Sequence, residues 1–383
     1  MMPRMRSDDA RGPPGARAGE GFAIVPLESS DEAECAALLV QAHGADAKTW
    51  RDRFDHWRRN PALGPGMPAG WVARDSDGGL AGLVANAPSR YVGESGETLV
   101  AYVFHTLAVS AAARGRGLGS RLIYESYRQP YDLALGSQTN AGGGKATVAG
   151  GGLVLDRPWT RRALLVVADP GALVLRALPG PLWLRRAAAA AARLAGSAAG
   201  LLERPARGIE VERIERFDPA DDENLALLVA SPARVRPLRD SGTLDWMYFG
   251  TPALRRSRLV LGARRDGRLA GYIAFRRLPD SLILLESRAL PDEPDVLPVL
   301  IRAAIAWGRD HRIGHLLVWP HSGAIDEALP WARTFRAPAR ISFPFFIFIR
   351  RPGLAVDDLE LGPWDGDAVI ADDALALESP ALE

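Results

Sequence analysis

A chain of 383 residues is long enough for two domains. Its hydrophobic fraction of 47% and charged fraction of 24% are those of an ordinary soluble globular protein. The net charge of +1 creates no overall field that would attract the chain to nucleic acid or to an anionic membrane. The single cysteine, Cys35, excludes an internal disulfide and a metal site of several cysteines. Arginines interrupt the most apolar stretch, residues 181–202, so we expect no membrane span and a cytoplasmic protein.

The first half of the chain alternates apolar runs with capping and turn residues. Residues 1–21 contain Arg, Pro and Gly without an apolar core, and we expect a disordered leader there. The following pattern predicts the order strand, helix, helix, three strands, helix, strand, helix and strand. Strands are expected at residues 22–27, 70–75, 80–87, 98–110 and 132–136, with helices ending near residues 43, 59 and 128.

The second half repeats this plan in a weaker form. Residues 269–275 (LAGYIAF) echo residues 80–86 (LAGLVAN), and residues 315–323 occupy the place of residues 132–140. The shared order of these echoes indicates a degenerate tandem repeat. We therefore expect one domain at 22–170 and a second at 208–350.

An alanine-rich linker helix is predicted between the halves, within residues 171–207, because Ala favours helix and prolines bracket the segment. A helix lying on a membrane surface is the alternative, but the sequence does not place its Leu and Trp residues on one face and its Arg residues on the other. A packing or linking helix is the preferred interpretation. The acidic tail at 351–383 is assigned no chemistry.

The most informative motif is a glycine-rich turn between the long apolar strand and the next helix. Backbone N–H groups at a helix N-terminus have no intrahelical partner and carry partial positive charge. Glycines there let a phosphate approach the backbone, and arginine side chains add charge. The turn consists of Arg114, Gly115, Arg116, Gly117, Leu118 and Gly119.

Two nucleotide-binding motifs are excluded because required residues are absent at the necessary positions. A dinucleotide fingerprint needs a glycine at position 122, where Leu122 stands. A P-loop around Lys145 needs Ser or Thr at the next position, which is Ala146, and a glycine where Thr139 stands. The pattern that fits is Arg-x-x-Gly-x-Gly, formed by Arg114, Gly117 and Gly119.

On this motif and the order of elements around it, the chain resembles the GCN5-related N-acetyltransferase (GNAT) superfamily, well over residues 22–168 and in outline over residues 208–350. The resemblance implies an α/β (α+β) protein with two GNAT-like (acyl-CoA N-acyltransferase) domains. Each would be a mixed, mostly antiparallel twisted sheet flanked by helices. It implies the activity of an N-acyltransferase, most simply an acetyltransferase.

The resemblance also implies how acetyl-CoA, or another acyl-CoA, would bind as co-substrate. The loop would hold the coenzyme pyrophosphate, and the preceding strand would pair its backbone with the pantetheine arm. An amine would then attack the thioester directly, with a backbone N–H stabilising the oxyanion. The residues implied in coenzyme binding are Leu107, Val109, Arg114, Gly115, Arg116, Gly117, Gly119, Ser120 and Asn140.

The groups that would move protons are less well defined by the sequence. His105 lies on the central strand and could titrate near neutral pH as a general base, with Tyr102 nearby. A hydrogen-bonded core histidine is the structural alternative for His105. In the superfamily, the helix after the Asn often carries a tyrosine near the thiolate, but residues 141–152 contain none. This departure leaves the identity of the acid open.

The second half offers no comparable loop, since the equivalent residues 287–295 contain two prolines and three acidic residues. Acidic charge would repel a pyrophosphate, so we expect one coenzyme site per chain. His311 and His315 are four residues apart, but Gly314 breaks the helix that would align them, so no metal site is expected.

The acceptor is expected to be an amine on a small molecule or a polysaccharide, with no nucleic-acid partner and an oligomeric state that the sequence leaves undefined. A non-catalytic acyl-CoA-binding protein is one alternative. An aminoacyl transferase that resembles the tandem peptidoglycan-bridge enzymes is another, although the near-zero net charge argues against binding a charged tRNA.

Overall fold

The strands of the chain form two sheets in a computed structural model. It describes residues 21–137, 141–149, 152–155, 163–200, 208–228, 233–319, 323–329, 334–336, 345–349, 351, 354–355 and 358–360. The strands in chain order are β1 Ala23–Pro26, β2 Gly70–Arg74, β3 Leu80–Val92, β4 Thr98–Val109, β5 Leu133–Ser137, β6 Leu153–Leu155, β7 Leu164–Val167, β8 Glu210–Arg213, β9 Arg236–Pro237, β10 Arg258–Arg265, β11 Arg268–Arg277, β12 Ser281–Ala289, β13 His315–Val318, β14 Thr334–Arg336 and β15 Phe345–Ile349.

The helices flank these sheets, and several begin at a side-chain cap. Asp46 accepts a hydrogen bond from the Thr49 N–H at 2.8 Å, and Asp240 accepts one from the Thr243 N–H at 2.7 Å, so two of the helices start in the same way. The helices are α1 Glu32–His43, α2 Ala47–Arg58, α3 Leu118–Tyr127, α4 Ala141–Ala149, α5 Pro170–Ala177, α6 Leu182–Gly200, α7 Asp222–Leu227, α8 Ser241–Phe249, α9 Pro252–Ser257, α10 Val296–Asp310 and α11 Gly323–Ala328.

The two sheets have the same strand order. The first runs β1-β2-β3-β4-β5-β15-β6, with β9 also paired to β3, and the second runs β8-β10-β11-β12-β13-β7-β14. Each contains one parallel pair at the corresponding place, β4 with β5 and β12 with β13, among antiparallel pairs. The predicted architecture of two mixed, mostly antiparallel sheets flanked by helices is therefore confirmed.

Two strands are exchanged between the halves, and the short β9 of the second half also pairs with β3 of the first sheet. β7 lies within residues 22–170 but pairs with β13 and β14 in the second sheet, and β15 lies within residues 208–350 but pairs with β5 and β6 in the first. The sequence was expected to build each sheet from one continuous half, and the strand pairing differs from that expectation. The domain limits remain a prediction.

Each sheet has a hydrophobic layer on both faces. In the first sheet, α3 covers one face around Tyr102 and Phe104, while α1 and α2 cover the other face around Leu83 and Ala85. In the second sheet, α10 packs on one face and α8 on the other. No helix in the described segments is long and apolar enough to cross a membrane.

Candidate functional site

Strands β4 and β5 diverge from each other in the middle of the first sheet. They pair only from Ala101 to Val103 on β4, with Leu133 to Leu135 on β5. Beyond this point β4 continues to Val109 and pairs with β3 alone in the described residues. A Cβ at Gly136 would overlap the Phe104 ring, so the glycine allows this ring to pack where the strands separate. The parallel pairing therefore ends beside Phe104, and the ends of β4 and β5 beyond it, which do not pair with each other in the described residues, are called the opening.

A β-bulge in β4 lies at this opening. Ala85 pairs with His105 and Leu83 pairs with Ala108, so two residues, Thr106 and Leu107, face the single residue between them on β3. Thr106 has a φ of 51°, which is unfavourable for a β-branched residue. Bulges leave a backbone group outside the ladder, and strained residues of this kind cluster at functional sites. The sequence analysis predicted this strand but not its bulge.

The glycine turn follows β4 directly and leads into α3. Gly115 and Gly117 have φ values of 77° and 74°, which explains why glycine is needed at both positions. The first backbone hydrogen bond of the helix runs from the Arg121 N–H to the Gly117 oxygen, so the three preceding N–H groups have no helical acceptor. A Cβ added at Gly115 or Gly117 would meet no atom within 4 Å, so the space beside this turn is open. These features make a site for an anion.

The two arginines of the turn are exposed and differently anchored. The Arg114 Nε donates a hydrogen bond to the Val109 oxygen at 3.3 Å, which ties the turn to the end of β4. The Arg116 guanidinium lies 4.4 Å from the centre of the Phe22 ring, a cation–π contact. Both side chains therefore add positive charge to the glycine turn.

The structure brings three of the predicted coenzyme-binding residues together. A Cβ at Gly119 would lie 3.6 Å from the Leu107 side chain and 3.8 Å from that of Val109, and 3.6 Å from Ala146 on α4. The end of β4, the start of α3 and the middle of α4 therefore meet at Gly119. Asn140, which the sequence predicted to complete this group, lies outside the described residues.

The structure does not bring the two predicted catalytic residues together. His105 shares the α1 and α2 face of the sheet with Ala85, its partner on β3. Tyr102 lies on the opposite face, packed at 5.2 Å from the Tyr131 ring, and burial raises its pKa to about 12. Tyr102 is thus a core residue of the α3 face, and the two side chains cannot act on the same proton.

His105 is buried in an apolar and positively charged environment. Its ring lies edge-on to Trp57 with centroids 4.4 Å apart, and its Nδ1 is 2.7 Å from the Thr106 Oγ1. Within the described part of the chain, its Nε2 makes no hydrogen bond. Burial, with a smaller effect of the Arg53 charge, lowers the pKa of His105 to about 3. Both effects favour the neutral ring at pH 7.

Sequence reasoning missed a second histidine at the same bulge. His43 is the last residue of α1, and its ring makes a hydrogen bond with the Leu107 backbone, while burial lowers its pKa. Arg53 on α2 is buried over the Trp50 ring, with 4.0 Å between its guanidinium carbon and the ring centre. A histidine at the end of a helix carries no sequence signal for a contact with a strand more than 60 positions away. The contact between His43 and Leu107 could therefore not be inferred from the sequence.

The buried histidines predict how stability depends on pH. Burial lowers the pKa of His105 to about 3 and, with Arg59 and Arg258, that of His56 to about 4, whereas an unfolded histidine titrates near pH 6.5. The unfolded chain therefore binds more protons, and stability falls as pH decreases below about 6.5. Between about pH 6.5 and pH 5 each histidine is expected to cost roughly 2 kcal/mol.

Urea unfolding at pH 7.5 and pH 5 measures this dependence. His105→Gln and His56→Gln should each reduce the difference in unfolding free energy between the two pH values, whatever their effect on stability at pH 7.5. Equal differences in the wild type and both variants would show that these rings do not resist protonation.

The pairing of β12 and β13 in the second sheet also ends early, but the residues beside this place are different. β12 and β13 pair only from Ser281 to Ile283, and β12 also carries a bulge, near Leu285. Glu286, directly after this bulge, is buried with four partners. Its Oε1 accepts hydrogen bonds from Arg239 and Arg288, and its Oε2 accepts hydrogen bonds from Tyr248 and Tyr272. We call these five residues the Glu286 cluster.

The histidines considered for a metal are also separated by the structure. His311 follows α10 and stacks on Trp307 with ring centroids 3.7 Å apart, whereas His315 begins β13. Among the residues with described positions, no group of three acidic, histidine or cysteine side chains could hold a metal ion.

Comparison with solved structures identifies the fold. The sequence matches no protein-family model and no curated protein. A GCN5-related N-acetyltransferase from Anabaena variabilis superposes with a TM-score of 0.54 at 10% identity, over 86% of this chain and 72% of that chain. A probable N-acyltransferase from Enterococcus faecalis gives 0.52 at 11% identity, with the same coverage of 86% and 72%.

These similarities extend over both sheets. The chain therefore has the GNAT fold, and the resemblance predicted from the glycine turn and the order of elements is confirmed at the level of the fold.

Proposed function

We propose that the protein is an acyl-CoA-dependent N-acyltransferase. The observation that carries this proposal is the continuity of three features along residues 104–120: a strand that leaves its parallel neighbour, a bulge at the opening, and a glycine turn with free helical N–H groups. Both solved structures described above are named as acyltransferases of this fold, which supports the proposal.

In this proposal the coenzyme pyrophosphate binds the N–H groups at the start of α3. Leu118, Gly119 and Ser120 provide these groups, and Arg114 and Arg116 add charge. The pantetheine arm would follow β4 past Val109 and Leu107 into the opening. The thioester then lies beside the bulge, where a backbone N–H stabilises the oxyanion. Asn140 remains a proposed member of this site.

The reaction is a direct transfer in which every bond is accounted for. The amine nitrogen attacks the thioester carbon, the C–S bond breaks, and the coenzyme leaves as a thiolate while the amine proton passes to a base. His105 is neutral and has a free Nε2 among the described contacts, as a base requires, but its low pKa makes it a weak one. Tyr102 faces the core, so the proposal favours His105 of the two. We propose acetyl as the acyl group.

A free-thiol assay tests this function. Purified protein with acetyl-CoA and a pooled set of amines should release coenzyme A thiol, together with acetylated amine detected by mass spectrometry. Tight binding of acetyl-CoA without release over a broad amine panel would instead support a non-catalytic acyl-CoA-binding protein. That second candidate is favoured by one observation, the absence of a tyrosine in α4.

We expect one coenzyme site per chain. The second sheet has a similar opening, but Asp292, Glu293 and Asp295 precede α10 where the first half has its glycine turn. Acidic residues there repel a pyrophosphate. Isothermal titration with acetyl-CoA should therefore give a stoichiometry of one, and two equivalent sites would contradict the assignment.

A further inference from the structure

Helix α6 turns its apolar side away from the protein. Trp183 is 71% exposed and Leu194 is 75% exposed, and the alanines at 187, 190 and 191, which share their side of the helix, are also exposed. Trp183, Ala187, Ala190, Ala191 and Leu194 are called the α6 stripe below. Leu182 and Leu184, on either side of Trp183, are 53% and 43% exposed.

The side of α6 that faces the protein is held by arginines. Arg193 Nε lies 3.1 Å from the Asp169 Oδ1, and Arg185 donates to the Leu175 oxygen. Between them Ala189 is 1% exposed, and a Cβ at Gly171 of α5 would overlap its backbone. The structure therefore places Arg185 and Arg193 on the side of α6 that contacts the protein, and Trp183 and Leu194 on the side that faces solvent.

The charge of the helix indicates what covers the stripe. All three charged residues of α6 are arginines. Arg185 and Arg193 contact the protein, and Arg186 is exposed at the edge of the stripe. An anionic lipid surface matches both the stripe and Arg186, because it accepts apolar side chains between head groups that attract arginine.

A second protein fits the stripe less well. A standard interface uses about 20 to 30 residues a side, whereas the outward side of α6 is a single row. Three consecutive exposed side chains, Leu182, Trp183 and Leu184, also point in different directions around the first turn, which a flat partner cannot cover. A bilayer surface has no fixed shape and can surround this end, with tryptophan at the depth that it prefers.

We propose that α6 binds the protein to anionic membrane surfaces, lying on the bilayer without crossing it. Trp183 and Leu194 enter the interface and Arg186 contacts the head groups. This inference does not depend on the proposed enzymatic function.

Vesicle cosedimentation tests the proposal with the full chain. The protein should bind vesicles of phosphatidylcholine mixed with phosphatidylglycerol, and bind pure phosphatidylcholine more weakly. The double variant Trp183→Glu with Leu194→Glu should lose about tenfold or more of this binding. Phe335→Glu is the matched control, because Phe335 is 58% exposed on β14 and lies outside the stripe. It should bind as the wild type does.

A label on the otherwise native helix gives an independent measurement. Leu194→Cys carrying an environment-sensitive dye should shift its emission to shorter wavelength on anionic vesicles, while Val211→Cys on β8 should not. The native Cys35 is fully buried and will not be labelled in the folded protein. Three results would overturn the proposal: no binding of the wild type to anionic vesicles, equal binding by the double variant, or a dimer that the double variant dissociates in place of lipid binding.

Discussion

Ser120→Glu is expected to weaken acetyl-CoA binding by at least about 100-fold while leaving the fold intact. Ser120 lies in the first turn of α3, beside the N–H groups proposed to hold the pyrophosphate. A carboxylate there complements the helix dipole, so the folded protein does not lose stability. The same carboxylate repels the coenzyme, since two like charges about 4 Å apart near a protein surface interact by about 4 kcal/mol. About 2.7 kcal/mol already corresponds to a 100-fold change in Kd.

Isothermal titration with acetyl-CoA measures this effect, and thermal unfolding reports on the fold. Lys48→Glu is the control, because it places the same charge in the first turn of α2, away from the glycine turn. Its Kd should equal that of the wild type. If Ser120→Glu binds acetyl-CoA as tightly as Lys48→Glu does, the start of α3 is not the pyrophosphate site.

The glycine turn could be predicted because its signal is local. A long apolar strand, three glycines at alternate positions and an amphipathic helix are adjacent in the chain, and the positive φ values of Gly115 and Gly117 follow from residue type. The strand order of the first sheet up to β5 follows similarly from consecutive elements. The Gly-rich α4 was uncertain from propensity alone, because each glycine costs about 1 kcal/mol in a helix relative to alanine.

The exchange of β7 and β15 could not be predicted. Each is a run of four or five apolar residues, and such a run fits either sheet equally well. What decides between the sheets is the distant partner strand, which no local pattern records. The bulge at Thr106 is hidden for a related reason, since a β-branched residue gives no sign of a left-handed backbone. The outward face of α6 likewise depends on its contacts with α5 and not on its composition.

The two halves share a strand order, but the residues beside the corresponding bulges differ in chemistry. β12 has the parallel partner and the bulge of β4, yet the residue after its bulge is Glu286, in a cluster of buried charges and hydroxyls. Burial alone would raise the pKa of Glu286, but Arg239 and Arg288 outweigh burial and hold the pKa well below its usual range. The carboxylate is therefore ionised, and its ion pairs with Arg239 and Arg288 stabilise the second sheet beside its opening.

Glu286→Ala is accordingly expected to destabilise the protein by about 3 kcal/mol, because it removes the buried carboxylate that Arg239 and Arg288 share, although Arg288 keeps its ion pair with Glu360. Arg239 is 5% and Arg288 2% exposed, so water cannot replace the carboxylate, and the hydroxyls of Tyr248 and Tyr272 lose their acceptor. Urea unfolding at pH 7.5 measures the loss.

Glu212→Ala is the matched control, since Glu212 also pairs with an arginine, Arg264, but from a half-exposed position. Exposed pairs contribute at most about 1 kcal/mol, so the control should unfold at nearly the wild-type urea concentration. Glu286→Gln separates charge from shape, because its amide oxygen can accept from both hydroxyls at the Oε2 position, while the negative charge and the acceptor of the two arginines are lost. If Glu286→Gln is as stable as the wild type, hydrogen bonding and not charge holds the cluster. If Glu286→Ala is no worse than Glu212→Ala, the cluster does not stabilise the second sheet.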